Sequence, residues 1–300
     1  LHVFRYLTQL AEAHLLVIFP GLIHYPQIDP VMVHVGPLKI RWYGMAYLTG
    51  FVLAYLVLIR LVKSGSLRIS KEAMSDVVGW LALGVVAGGR IGWWVFYHKI
   101  QPGDAPEPWW EPIAIWHGGM SFHGGLTGVI LVLWIWSKLN RAPFLNIADC
   151  LALVTPIGLF LGRIANFING ELVGRVSHVP WAMIFPGYTE PRHPSQIYEA
   201  FLEGPVLLCA VWTVKAIRNR RDGQIAAAFV VFYGIFRFIV EFTREPDKQL
   251  GYIAFGWLTM GQLLSIVIAL VGLGCWMALY LRRLPPRVEQ SESKTSSVSR

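Results

Sequence analysis

Seven apolar runs constrain this chain more than any other feature, near residues 43–60, 74–97, 121–137, 147–167, 194–215, 224–242 and 257–281. Each approaches the roughly 20 residues that an α-helix, rising about 1.5 Å per residue, needs to cross about 30 Å of hydrocarbon. Composition agrees: 55% of the residues are hydrophobic, only 15% are charged, and 13 are tryptophan. The expected fold is an all-α polytopic membrane protein of about seven transmembrane helices, with 28–283 as the membrane domain.

Lys and Arg set the expected orientation, because cytoplasmic loops retain them. Arg60, Lys63, Arg68 and Lys71 fall on one side with Lys138 and Arg141, with Lys215, Arg218, Arg220 and Arg221, and with Arg282, Arg283 and Arg287. The opposite loops, around 98–120, 166–193 and 243–256, are poorer in cations and rich in Pro, Trp and Gly. An odd number of crossings then puts the N-terminus outside and the C-terminus in the cytoplasm, with 166–193 as a small outer head. The net charge of +8 is mostly this inside bias plus intramembrane arginines, so it does not point to nucleic acid. Residues 1–27 read as a surface-lying amphipathic segment or an appended remnant of no assigned role, and the polar tail 284–300 as disordered. Cys150, Cys209 and Cys275 fall inside spans, without metal-ligand spacing, and are expected to be buried thiols.

The polar residues inside the spans gather at their outer ends. "GRIANFINGE", 162–171, places Arg163 and Asn166 three apart on one helix face, with Asn169, Gly170 and Glu171 where the helix should end. Gly162, Gly170 and Gly174 would permit a sharp turn or a close ligand. An arginine within hydrocarbon costs about 2.5–3.5 kcal/mol on insertion scales, so it must face partners, water or an anion. Taken alone, Arg163 suits helix-to-helix pairing as well as ligand binding. It is joined by Arg237, Glu241 and Arg244 in "FRFIVEFTRE", a charged stripe in which Glu241 can hold one guanidinium and leave the other for an anion. Glu199 and Glu203 are expected to balance intramembrane arginines such as Arg90.

"GGMSFHGGLTG", 118–128, sets His123 at an outer mouth among glycines that would clear space around its ring. Tyr43 in "RWYGMAYL" sits at another outer end, where aromatic-belt anchoring is the default. An Arg–Tyr–His–Asn set at one leaflet, with no counterpart across the midplane, argues against a through-pathway. A lipid or anion transporter and a purely structural subunit remain the competing readings. No cluster of metal ligands and no nucleotide-binding glycine loop is present, so neither metal nor organic cofactor is expected.

"RWYGMAYL", "GGRIGWWVFYH", "GGMSFHGGLTGV", "GRIANFINGELVGR", "RHPSQIYEAFLEG" and "YGIFRFIVEFTREPD" together resemble the successive signatures of the prolipoprotein diacylglyceryl transferase family, over about 28–283. The resemblance implies a bacterial inner-membrane enzyme with its site on the periplasmic side. Such an enzyme moves the diacylglyceryl group of phosphatidylglycerol to the lipobox cysteine of a prolipoprotein signal peptide and releases glycerol 1-phosphate. The family's important positions fall on Tyr43, His123, Arg163, Asn166, Asn169, Glu171, Gly174, Arg237, Glu241 and Arg244. In the mechanism expected from it, Arg163 and Arg237 grip the phosphate. Glu171, Glu241, Asn166 and Asn169 hold those guanidinium forks, and His123, or else Tyr43, serves as base.

Overall fold

The computed structural model describes residues 23–36, 38–96, 110–114, 119–246 and 251–281. The tail expected over 284–300 and residues 1–22 of the N-terminal extension lie outside the described residues, as does most of the loop expected over 98–120.

Seven helical segments are long and apolar enough to cross a membrane. They are α1 (Trp42–Lys63), α2 (Lys71–Phe96), α3 (Phe122–Leu139), α4 (Phe144–Ile168), a fifth span made of α5 (Ser195–Phe201) and α6 (Leu207–Ala216), then α7 (Gln224–Glu241) and α8 (Met260–Leu281). Every expected span is present, its ends displaced by a few residues. Many side chains on α1, α2, α3 and α8 are large, apolar and exposed, which is the surface a helix presents to lipid.

Two local features shape the bundle. Gly84, Gly88 and Gly92 on α2 face Gly124 and Gly128 on α3, so closely that a methyl on Gly124 would lie 2.8 Å from the Gly92 Cα and one on Gly88 2.9 Å from the Gly128 Cα. Such small-residue stripes let membrane helices meet backbone to backbone. Gly124 and Gly128, on the helix that carries His123, therefore make room for a neighbouring helix. The second feature is a π-helical turn, Leu202–Val206, between α5 and α6. Pro205 cannot donate to the helical ladder, and Gly204 adopts φ −96°, ψ −106° with Phe160 of α4 where its Cβ would stand. The extra residue of this turn accompanies a Glu203 that is fully buried.

The apolar core lies toward the cationic end of the bundle. Leu58, Leu61, Met74, Trp136, Ile147, Leu153, Val211 and Ile225 are all buried there. Cys150 joins this core, whereas Cys209 and Cys275 are exposed on their helices. The expectation of three buried thiols holds for one, because the other two occupy outward-facing positions on their helices.

At the other end sit short strands: β1 (Ile23–His24), β2 (Val31–Val35), β3 (Leu38–Arg41), β4 (Met183–Ile184), β5 (Tyr252–Ala254) and β6 (Leu258–Thr259). β2–β3 and β5–β6 are hairpins, each leading directly into a span, and β1 pairs in parallel with β4. The last residues of the extension thus belong to the head: Tyr25 is buried between Phe167 and Phe185, and its hydroxyl lies 2.7 Å from the carbonyl oxygens of Phe167 and Ile168 at the end of α4. A strand of two residues, Ile23 and His24, carried no pairing signal without β4 beside it.

Candidate active site

Antiparallel packing brings the ends of α1, α4, α5, α7 and α8 that carry the polar motifs to one end of the molecule. The α4 terminus is built by "ANFINGE". Asn169 caps the helix, Gly170 follows at φ 67°, and the amides of Gly170 and Glu171 donate to the carbonyls of Phe167 and Asn166, both at 3.0 Å. This is the Schellman arrangement, and glycine is what tolerates its left-handed position.

One turn earlier, Arg163 enters an alternating chain of three guanidinium and three carboxylate groups. Its Nη1 lies 2.7 Å from Glu199 Oε2 and its Nε 3.0 Å from Glu203 Oε2. Arg244 Nη1 donates to Glu199 Oε1 at 2.6 Å, and Arg237 Nη1 stands 4.0 Å from the same oxygen. Glu241 Oε2 closes the chain, 2.9 Å from Arg237 Nη2 and 3.4 Å from Arg244 Nε. The carboxylates are buried, with side chains 1%, 0% and 8% exposed, whereas the three arginines keep 17–18% exposed. Carboxylates on the inner side therefore hold the guanidinium groups, and the outer edges of those groups stay accessible. Arg237 Nη1 is a buried donor without a hydrogen-bond partner among the described residues.

The local chain explains each position. Glu241 is fixed by Thr259, whose hydroxyl donates to Oε1 at 3.0 Å. Thr259 also forms a reciprocal cap with Gln262 at the start of α8: Thr259 N–H donates to Gln262 Oε1 at 2.9 Å, and Gln262 N–H to Thr259 Oγ1 at 3.2 Å. Gly261 leaves space that the Glu241 carboxyl fills. Arg175 donates to the carbonyls of Arg244 and Glu241, satisfying acceptors at the end of α7. Gly174 pairs with Arg244 and lies so close to the carbonyls of Thr243 and His193 that a side chain would displace them.

Of the residues singled out in the sequence, Arg163, Arg237, Glu241 and Arg244 come together in the network. Tyr43, whose hydroxyl is 3.1 Å from that of Tyr47, lies within electrostatic reach of Arg163 and Glu171. Asn166 is buried, and Asn169 Nδ2 donates to Glu171 Oε1 at 3.3 Å. His123 opens α3, exposed, with Phe122 as its ring neighbour. It shares no hydrogen bond, ion pair or ring contact with the network among the described residues.

Three expectations change. Glu199 and Glu203, not Glu171 and the asparagines, hold Arg163, because the π turn and the α5 terminus carry those carboxylates inward. Arg90 is instead bound by Glu111, 2.8 Å from Oε1 and 2.6 Å from the main-chain oxygen. Glu241 contacts both Arg237 and Arg244 rather than releasing one. Sequence reasoning also passed over Tyr233, one turn before Arg237 and within electrostatic reach of Arg163, Glu199 and Glu203, and over the T-x-x-Q cap, a readable helix-start signature. His193 of the head has its pKa lowered, by burial and then by the Arg175 cation, and its Nδ1 is 3.2 Å from the Tyr198 hydroxyl.

A family model described as prolipoprotein diacylglyceryl transferase matches residues 30–278. The chain belongs to this family. Among similar proteins are phosphatidylglycerol–prolipoprotein diacylglyceryl transferases of Nitratidesulfovibrio vulgaris (strain Miyazaki F), 49% identical over 86% of this chain and 96% of the relative, and of Pseudomonas aeruginosa (strain UCBPP-PA14), 48% identical over 87% and 97%. The protein of that name from Azotobacter vinelandii is 48% identical over 87% of this chain and 98% of its own length. The part of this diacylglyceryl transferase family member matched by the model contains the whole Arg–Glu network, Tyr43 and His123, while β1 lies ahead of it.

Proposed function

We propose that this chain transfers the diacylglyceryl group of phosphatidylglycerol to the lipobox cysteine of prolipoproteins, from a site on the periplasmic side of a bacterial inner membrane. The observation that carries this reading is the network itself: three guanidinium groups, buried carboxylates behind them and open edges in front, at one end of seven apolar spans. A diacyl lipid keeps its chains in hydrocarbon while its phosphate meets arginines at that depth. The signal peptide of the acceptor is already embedded beside it.

In the reaction, the cysteine sulfur attacks the glycerol carbon that bears the phosphodiester. A C–S bond forms, the C–O bond breaks, and its electron pair leaves on the phosphate oxygen of glycerol 1-phosphate, while the thiol proton passes to a base or to solvent. Negative charge grows on the departing phosphate, and donors aimed there favour the transition state over the ground state. The network sums to no formal charge, so aimed N–H groups rather than net attraction carry this role. Arg163 and Arg237 are assigned to the phosphate, through the accessible edges of their guanidinium groups. Arg244, Asn166, Asn169, Glu171 and Gly174 shape the headgroup side, with Glu241 as the brace of two arginines. A thiol of pKa about 8.5 is a few per cent ionised at neutral pH, and His123 is assigned as its base, with Tyr43 as the alternative or as a lipid orienter.

The test is direct. Purified protein in phosphatidylglycerol vesicles, given a lipobox peptide, should add one diacylglyceryl mass to the cysteine, and a Cys→Ser peptide should gain none. Lipid movement across the bilayer without a modified peptide would instead favour the transporter reading. His123→Gln should lower turnover and alter the pH–rate profile; an unchanged profile at normal turnover removes the imidazole from the mechanism.

A further inference from the structure

The β5–β6 hairpin is braced at its base and bare at its tip. On β5, the Arg175 guanidinium lies over the Tyr252 ring, 5.5 Å from its centroid, while the same side chain donates to the carbonyls of Arg244 and Glu241. On β6, the Thr259 hydroxyl donates to Glu241. Both strands are thus tied to the end of α7 that enters the charged network. The tip runs Ala254-Phe255-Gly256-Trp257, with Phe255 at φ 54°, Gly256 at φ 69°, and Trp257 N–H donating to Ala254 O at 3.4 Å. Two successive positive φ values belong to a type I′ turn, which favours Asn-Gly or Gly-Gly; a bulky aromatic at the first position is sterically costly.

Nothing among the described residues encloses that aromatic. Phe255 is 83% exposed, more than any other large hydrophobic side chain described. Its ring stacks 6.4 Å from Trp257, which stacks 6.1 Å from Phe242, itself edge-on to Phe238 at 5.4 Å. An aromatic ladder therefore runs from α7, beside Arg237, out to the turn. Glu241 ends one span and Met260 begins the next, so the hairpin stands where two spans leave hydrocarbon, the level at which aromatic rings collect. Strained backbone persists where the surrounding structure or a function holds it, and here the exposed ring is what the strain delivers.

We propose that the Phe255–Trp257 tip docks into the phospholipid surface beside the arginine network, among headgroups and upper acyl chains, and sets the depth of that network in the leaflet. The partner is a lipid surface; a bound peptide is an outcome of the test. The inference needs α7 and α8 to span a bilayer; docking of the tip does not depend on the transfer chemistry, whereas its depth-setting role rests on that reading and is measured through it.

p-Benzoylphenylalanine is placed at position 255 of the full chain, in vesicles of phosphatidylethanolamine and phosphatidylglycerol, and irradiated in the presence of a lipobox peptide. The same probe at Leu270, 61% exposed on α8, serves as the lipid-facing control. Phospholipid adducts at both positions are expected. Adducts at 255 to the peptide alone, or none while position 270 reacts, overturn the proposal. Phe255→Asn removes the ring but suits the turn, since asparagine accepts positive φ. Its unfolding temperature in detergent should match or exceed that of the parent. Its transfer rate should fall roughly three- to tenfold in vesicles and stay within about twofold in micelles, the scale set by partial burial of one aromatic side chain. A parental rate in vesicles overturns the depth-setting role, and a protein inactive in every variant leaves the adduct assay to decide docking.

Discussion

The two ends of the bundle both bury carboxylates, but they spend them differently. At the cationic end, Asp149 of α4 accepts from the backbone amides of Gly223 and Ala226, at 2.9 and 2.8 Å, and so caps the start of α7. Asn146 similarly accepts from Arg68 N–H and donates to Ser66 O. Both of these side chains meet main chain, inside the part of the molecule that holds the apolar core. At the other end, Glu199, Glu203 and Glu241 meet guanidinium groups that retain open edges, and Arg237 keeps a buried donor unmatched. A carboxylate that closes a helix end stabilises the fold; one that orients a partly open cation prepares a site.

Substitutions can break that contrast. The largest effect is expected for Arg237→Lys, which keeps the charge but loses the planar fork; transfer should fall about 100-fold or more while the protein remains inserted and folded. Parental turnover would remove Arg237 from the phosphate role. Next is Glu199→Ala. This carboxylate contacts Arg163, Arg237 and Arg244, and stripping a buried ion network of one member costs about 3–5 kcal/mol; chemical unfolding in detergent should report it, with activity lost as well. Asp149→Ala should cost about 1–2 kcal/mol, as for a lost helix cap, yet leave transfer per folded molecule unchanged. If its activity fell as far as that of Arg237→Lys, the division between the two ends would fail.

The smallest effect concerns pH. His193 has a lowered pKa in the folded head, so on acidification the unfolded chain takes up its proton first. Its contribution to stability is present at neutral pH and is lost as pH falls below the ordinary histidine value toward the depressed one. His193→Gln should flatten thermal stability across that window, and an unaltered pH dependence would show that burial of the ring plays no part.

The spans were legible because hydropathy is a property of consecutive residues: the run read at 147–167 is α4 at Phe144–Ile168, and the glycine that ends it was visible in "FING". Arg163, Arg237, Glu241 and Arg244 were also legible, since charges in apolar helices are conspicuous. Their partners were not. Glu199 and Glu203 were seen as a pair four residues apart and matched to the wrong arginine, because spacing along one helix says nothing about which neighbour it meets. The π turn at Leu202–Val206 moved Glu203 off the regular helical face, although Gly204 and Pro205 marked a possible break.

Composition and patterning alone determined that this chain forms seven apolar helices and that its intramembrane arginines collect at one end, because both follow from local sequence and the alternation of spans. Tertiary structure decided which carboxylate holds which guanidinium, that the glycines beside His123 serve helix α2, and that Tyr25 and Thr259 brace helix ends far from them in sequence. Pairings of this kind depend on distances between segments, and a side chain's neighbour across such a gap exists only once the helices have packed.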